Sequence, residues 1–261
     1  MTDRLIAERQ GPVGWITFNN PERHNAMNLE MWEALPQALS TFAEDGEVKV
    51  IVLRGAGYRS FISGADISEF EKHRSSAEAV AAYESLATST MRALQIVPKP
   101  TIAMIRGYCI GGGLGLAVSC DLRIATEGST FAIPAARLGV GYRFDGVKRL
   151  RDLVGPAFAK EIFFTSRRFH GPEALRMGLI NRMTADAELE SVIHEICASI
   201  AENAPLTVRS AKLMIEELDK PSGEPDYQRC EDLMNACFAS EDYTEGRTAF
   251  MEKRKPVFRG K

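Results

Sequence analysis

Short runs rich in β-branched residues recur along the chain up to about residue 185, each closed by a turn signal. Residues 13–18 follow Gly11-Pro12. Residues 48–53 run into Arg54-Gly55-Ala56-Gly57, and residues 101–105 stop at Gly107. Residues 122–125 and 179–183 are shorter candidates. Between them the apolar spacing changes to that of a helix. Leu29, Trp32, Leu35, Leu39 and Phe42 recur at three- and four-residue intervals, and alanine-rich residues 75–95 predict a long helix ending before Pro98. Strands alternating with helices predict an α/β fold built on a mainly parallel sheet. From residue 186 to 255 no strand pattern is found. Helical stretches there are punctuated by Pro205 and by Pro221-Ser222-Gly223. The chain therefore divides into a core over 1–185 and a helical region over 186–261, whose apolar positions suit contact with a neighbouring subunit.

Composition narrows the function classes. The 261 residues are 45% hydrophobic, enough for one sizeable core, and the formal net charge is −3. That balance argues against a nucleic-acid partner, which calls for a basic face. Five cysteines stand at 109, 120, 197, 230 and 237 without a CxxC pair, so no metal site is expected and the thiols read as reduced. Met1-Thr2-Asp3-Arg4 lacks a signal-peptide pattern. The longest apolar stretch, residues 101–120, holds Arg106 and five glycines, a poor membrane span. The expectation is a cytoplasmic protein without a membrane partner.

Two segments carry chemistry. Gly111-Gly112-Gly113 lies between a strand and a helix, where bare backbone N–H groups attract negative charge. It reads equally as a tight strand-to-helix turn without a ligand. No Lys-Ser/Thr follows, so it is not a P-loop. Ser63-Gly64-Ala65-Asp66-Ile67, after the strand at 48–53, is weak alone. Together, and with Asn20-Pro21-Glu22-Arg23-His24-Asn25-Ala26-Met27-Asn28, Lys99-Pro100, Asp121-Leu122-Arg123-Ile124-Ala125, Leu138-Gly139-Val140, residues 174–181 and Phe250-Met251-Glu252-Lys253-Arg254-Lys255-Pro256, they resemble the crotonase (enoyl-CoA hydratase/isomerase) superfamily in order along nearly the whole chain.

The resemblance implies a spiral of ββα units with a C-terminal helical region, assembled as a homotrimer or a dimer of trimers. It implies an acyl-CoA thioester substrate, with coenzyme A as part of that substrate and no separate cofactor. His24, Asn25, Ala26 and Met27, with Ala65, Asp66 and Ile67, would hold CoA. The N–H groups of Ala65 and Gly112 would form an oxyanion hole for the thioester carbonyl. The sequence also departs from the family. Where a hydratase carries two glutamates, this chain has Gly115 and Ala135. The next loop, Gly141-Tyr142-Arg143-Phe144-Asp145-Gly146, also departs from the family, and the stretch Leu138-Gly139-Val140-Gly141-Tyr142 resembles the corresponding loop of methylmalonyl-CoA decarboxylases in the same superfamily, although those carry a histidine at the position of Ala65. Tyr142 is the expected source of acid–base chemistry, with Asp145 the alternative if it is partly buried; packing roles fit both as well. Lyase chemistry such as decarboxylation, or atypical hydration, is therefore expected. An acyl-CoA isomerase or thioester hydrolase, and a CoA-binding scaffold, are the alternatives. Asp121 is expected to be structural, and His73, His170 and His194 to lie at the surface.

Overall fold

The computed structural model describes residues 2–66, 76–218 and 223–261. Among these residues ten strands form two sheets. The larger contains β1 (Leu5–Gln10), β2 (Val13–Phe18), β3 (Val50–Gly55), β5 (Thr101–Ile105), β7 (Leu122–Thr126) and β10 (Arg182–Thr184), in the order β1-β2-β3-β5-β7-β10. Only the β1/β2 hairpin is antiparallel in this sheet. The smaller sheet runs β4 (Ser60–Ile62), β6 (Tyr108–Ile110), β8 (Thr130–Ala132), β9 (Phe169–His170). Strands β3, β5 and β7 each hand the chain to β4, β6 and β8, and a helix follows each pair. These are α1's successors α2 (Ala77–Ile96), α3 (Gly112–Ser119) and α4 (Ala135–Leu138), α1 itself being Leu29–Glu44. The expected spiral of ββα units is thus present. The candidate strand at 48–53 forms two residues later, and that at 179–183 shrinks to β10, because Gly178 adopts φ +77° and ends a helix there.

Period-two alternation sends one set of side chains to each face of the large sheet. Ile16, Phe18, Ile51, Leu53, Ala103, Ile105 and Ala125 join the main core under α1 and α3. Val13, Trp15, Val50, Val52, Ile102, Met104 and Ile124 form a second cluster, closed by Leu189, Ile193 and Cys197 of α7 (Leu189–Ala201). Burying both faces explains why β3 and β5 read as continuous apolar runs.

Helix α1 contains Pro36, which offers no N–H to the carbonyl of Trp32. The buried hydroxyl of Thr90 in α2 donates to that carbonyl instead, at 3.1 Å. The long helix α5 (Phe144–Thr165) is kinked at Gly155-Pro156, and α6 (Gly171–Arg176) leads to β10. After α7 come α8 (Pro205–Leu218), α9 (Tyr227–Phe238) and α10 (Glu241–Glu252). Lys212 of α8 is buried and reaches Asp121 at 2.8 Å, while Arg149 of α5 pairs with Glu216 at 3.0 Å. Asp121 also accepts from the N–H and hydroxyl of Thr101, which makes it the structural group expected. His170 and His194 are exposed, whereas His73 lies outside the described residues. Among the described residues no helix is long and apolar enough to cross a membrane.

Candidate active site

Two backbone segments from different turns of the spiral meet at the ends of β4 and β6. The first is tied down by the turn before α1. Met27 N–H donates to Gly64 O and Asp66 N–H donates to Met27 O, both at 2.8 Å, so Ala65 lies opposite Met27 in a parallel bridge. In this register the Ala65 N–H is left out of the pair. The second segment is the triplet. Gly111 turns the chain with φ +55° and ψ −119°, a conformation that needs glycine. Gly112 then opens α3, so its N–H has no carbonyl one turn back within the helix. Among the described residues neither the Ala65 nor the Gly112 amide donates to a backbone carbonyl.

Close packing brings the two together. A Cβ on Gly113 would fall 2.3 Å from the carbonyl oxygen of Ile62, so only glycine lets α3 lie against β4. A Cβ on Gly111 would be 3.9 Å from Gly64 Cα. The structure therefore places the Ala65 and Gly112 segments side by side.

The turn from His24 to Met27 is shaped by unusual dihedrals. His24 and Asn25 have φ +53° and +55°. Asn25 is completely buried; its amide donates to Ala56 O and Ser60 O at 3.0 and 2.8 Å and accepts from Asn20 N–H at 3.0 Å. Its side chain is thus spent on holding the turn. His24 Nδ1 meets Ser60 Oγ at 2.9 Å, and Ala26 and Met27 are buried. Asp66 receives Arg23 at 3.1 Å. Ile67 lies outside the described residues.

Around the paired segments the walls are apolar and aromatic. The ring of Trp32 is 3.8 Å from where a Cβ on Gly112 would stand, and its indole N–H donates to the Tyr83 hydroxyl at 2.8 Å. At Gly115 a Cβ would meet the terminal methyl of Met91 at 2.9 Å. Ala135 is buried. The Met91 thioether thus borders Gly115, and a buried methyl group stands at Ala135, the two positions where a hydratase carries glutamates.

The segment 141–146 is not one continuous loop. Helix α5 starts at Phe144, and Asp145 sits exposed in its first turn. The condition under which Asp145 could serve, partial burial, is not met, since its side chain is exposed. Among the described residues no ion pair joins it to Arg143. Tyr142, by contrast, is half-buried against the core and packs edge-on to Phe163 with centroids 5.1 Å apart. Burial, and secondarily the negative charge of Glu84, pushes its phenol up to about 12. Glu84 went unnoticed in the sequence. It shares a face of α2 with Ala87 and Met91, at i, i+3 and i+7, and Met91 is the residue that abuts Gly115. An ordinary-looking glutamate in an alanine-rich helix gives no local signal; only the packing of α2 on α3 reveals it.

Known proteins bear on this geometry. A family model described as enoyl-CoA hydratase/isomerase matches residues 8–261. The chain belongs to the enoyl-CoA hydratase/isomerase family. It is an acyl-CoA enzyme of that kinship. A short-chain-enoyl-CoA hydratase of Clostridium acetobutylicum is 35% identical, with 97% of this chain and 96% of the relative covered. A carnitinyl-CoA dehydratase of Salmonella enteritidis is 32% identical over the full length of both. Among solved structures, an enoyl-CoA hydratase/carnithine racemase from Magnetospirillum magneticum superposes with a TM-score of 0.95 at 35% identity, covering 100% of this chain and 97% of that one.

Proposed function

We propose that this family member binds an acyl-CoA thioester with its carbonyl oxygen between the N–H groups of Ala65 and Gly112, and that it works through an enolate held there. The observation that carries the reading is the side-by-side approach of the Gly64–Ala65 and Gly111–Gly112 backbones, with neither amide spent on a backbone carbonyl. Each donor aimed at developing charge is worth about 3–4 kcal/mol in such sites. His24 to Met27, with Asp66 and Ile67, would take the coenzyme A portion.

The surroundings favour a lyase step that needs no carboxylate base. Gly115 faces Met91 and Ala135 is apolar, so water has no glutamate to orient it from either position. Decarboxylation fits this site. The C–C bond to the carboxylate breaks, its electrons pass into the enolate, CO2 leaves, and one proton is added at carbon. Tyr142 would donate that proton, since a phenol held near 12 stays protonated at neutral pH. Hydration or its reverse is the second reading. It is favoured by the names of the relatives, and Glu84 is the carboxylate that would have to serve.

A mass-spectrometric screen of malonyl-, methylmalonyl-, crotonyl- and saturated acyl-CoA thioesters separates these readings. Loss of 44 mass units from the malonyl types is the expected result. Addition of water to crotonyl-CoA at an ordinary enzymatic rate of about 1–10³ s⁻¹ supports the second reading instead. Release of free coenzyme A would mark a thioester hydrolase, and binding without any turnover a scaffold. Gly112→Pro replaces one hole donor by a ring carbon at a helix position that tolerates proline. It should lower kcat by about 10²–10³-fold.

A further inference from the structure

Apart from the candidate hole, a recess lies at the carboxyl ends of β2, β3 and β5. A cleft of about 210 Å³ opens there, lined by Thr17, Arg54, Tyr58, Ser60, Arg106 and Glu190 among others. Crevices at the carboxyl ends of parallel strands are where open α/β sheets place ligands.

The two arginines differ in how their charge is met. Arg106 donates through Nε to Asp186 Oδ1 at 2.9 Å and lies 3.7 Å from Glu190. The Tyr58 ring covers it at 4.9 Å. Arg54 has no carboxylate partner among the described residues. Its Nε donates to Thr17 Oγ1 at 3.1 Å, and its guanidinium lies 4.5 Å from the centroid of the buried Trp15 ring. Stacking and that one hydrogen bond fix the plane of the guanidinium. Both terminal nitrogens are left without a hydrogen bond among the described residues. A fixed fork with two free N–H edges matches a carboxylate or a phosphate in bidentate fashion.

We propose that this cleft binds a small organic or inorganic anion, its carboxylate or phosphate head held by Arg54. Glu190 at the cleft wall disfavours highly charged ligands, so the head carries a single anionic group and a compact body. The exposed ring of Tyr58 offers that body a flat surface. The proposal is independent of the acyl-CoA reading, because no group of the candidate hole lines the cleft. Its floor does touch the CoA turn, through Ser60 to His24 and through the Ala56 carbonyl to Asn25.

Calorimetry of the intact protein with inorganic phosphate and with benzoate tests this. Saturable binding at millimolar ligand is expected, weakened at least about tenfold in Arg54→Met, which keeps the aliphatic contact with Trp15. Arg54→Lys, which keeps the charge and loses the fork, should fall between them. Preference for phosphate or for benzoate identifies which head the cleft takes. Should Arg54→Met fail to fold, NMR of the arginine side-chain nitrogens in the wild type serves. A shift of the Arg54 signals on titration supports the site. No saturable binding, binding equally strong in Arg54→Met, or unmoved Arg54 signals would overturn it.

Discussion

Tyr142 and Asn25 show how burial assigns a role that residue type alone leaves open. Tyr142 follows α4 and is half-buried against the core, and Tyr142→Phe removes only its hydroxyl. If it protonates the enolate, kcat falls about tenfold or more while CoA-thioester affinity holds, as steady-state kinetics and calorimetry will show. The same variant has a second signature. The folded phenol is raised to about 12 from an ordinary value near 10, so the protonated form is favoured in the folded state. Its contribution to stability is complete below pH 10 and is lost as pH rises from there through 12. Urea unfolding should therefore show a steeper loss of stability across that window in the wild type than in Tyr142→Phe. Glu84→Gln removes the secondary cause and should lower the phenol only in part, burial being the larger one, as ultraviolet titration will show. Asn25→Ala should cost roughly 3 kcal/mol, since it strands two carbonyls and an amide and forces alanine to positive φ. The glycine triplet marks a strand-to-helix turn from local chemistry, whereas the Asn25-Ala26 turn is legible only through the family resemblance. Glu84, Met91 and the Trp32–Tyr83 pair are not legible, since each acts across a helix–helix contact that no sequence spacing records.

At the scale of elements, length decides what a sequence reveals. β2, β3, β5 and β7 are five or six residues long and buried, so their apolar runs stand out. β4, β6 and β8 have three residues and β9 two, too few to display a period, and the small sheet was accordingly invisible. β1 carries Glu8, Arg9 and Gln10 at the sheet edge and reads as a polar segment. The start of α5 at Phe144 was missed because Gly141 and Gly146 suggest a loop, whereas Arg143 in extended conformation makes the boundary between them. Contacts between elements also set a stability prediction. Lys212 of α8 is buried against Asp121, which in turn caps the start of β5. Lys212→Met leaves that carboxylate with one partner fewer and should destabilise the protein by about 3 kcal/mol in urea unfolding, with α8 exchanging its amide hydrogens first.

For the whole molecule, the spiral matters because it stacks equivalent strand ends from successive turns. β4 ends at Ile62 and β6 at Ile110, neighbours in one sheet, so the residues just beyond them, Gly64–Ala65 and Gly111–Gly112, must converge. Backbone segments almost fifty residues apart in sequence thus come side by side, which is the approach the proposed hole requires. This predicts that the hole survives changes in the acyl pocket, and that substitutions at Met91 or Tyr142 alter turnover more than thioester binding. The account stands on that convergence polarising a carbonyl. Isotope-edited infrared spectroscopy of crotonyl-CoA labelled with ¹³C at the thioester carbonyl reads it directly. On binding, the carbonyl stretch should move to lower frequency than in water. A bound thioester whose carbonyl frequency equals that in water would contradict the account.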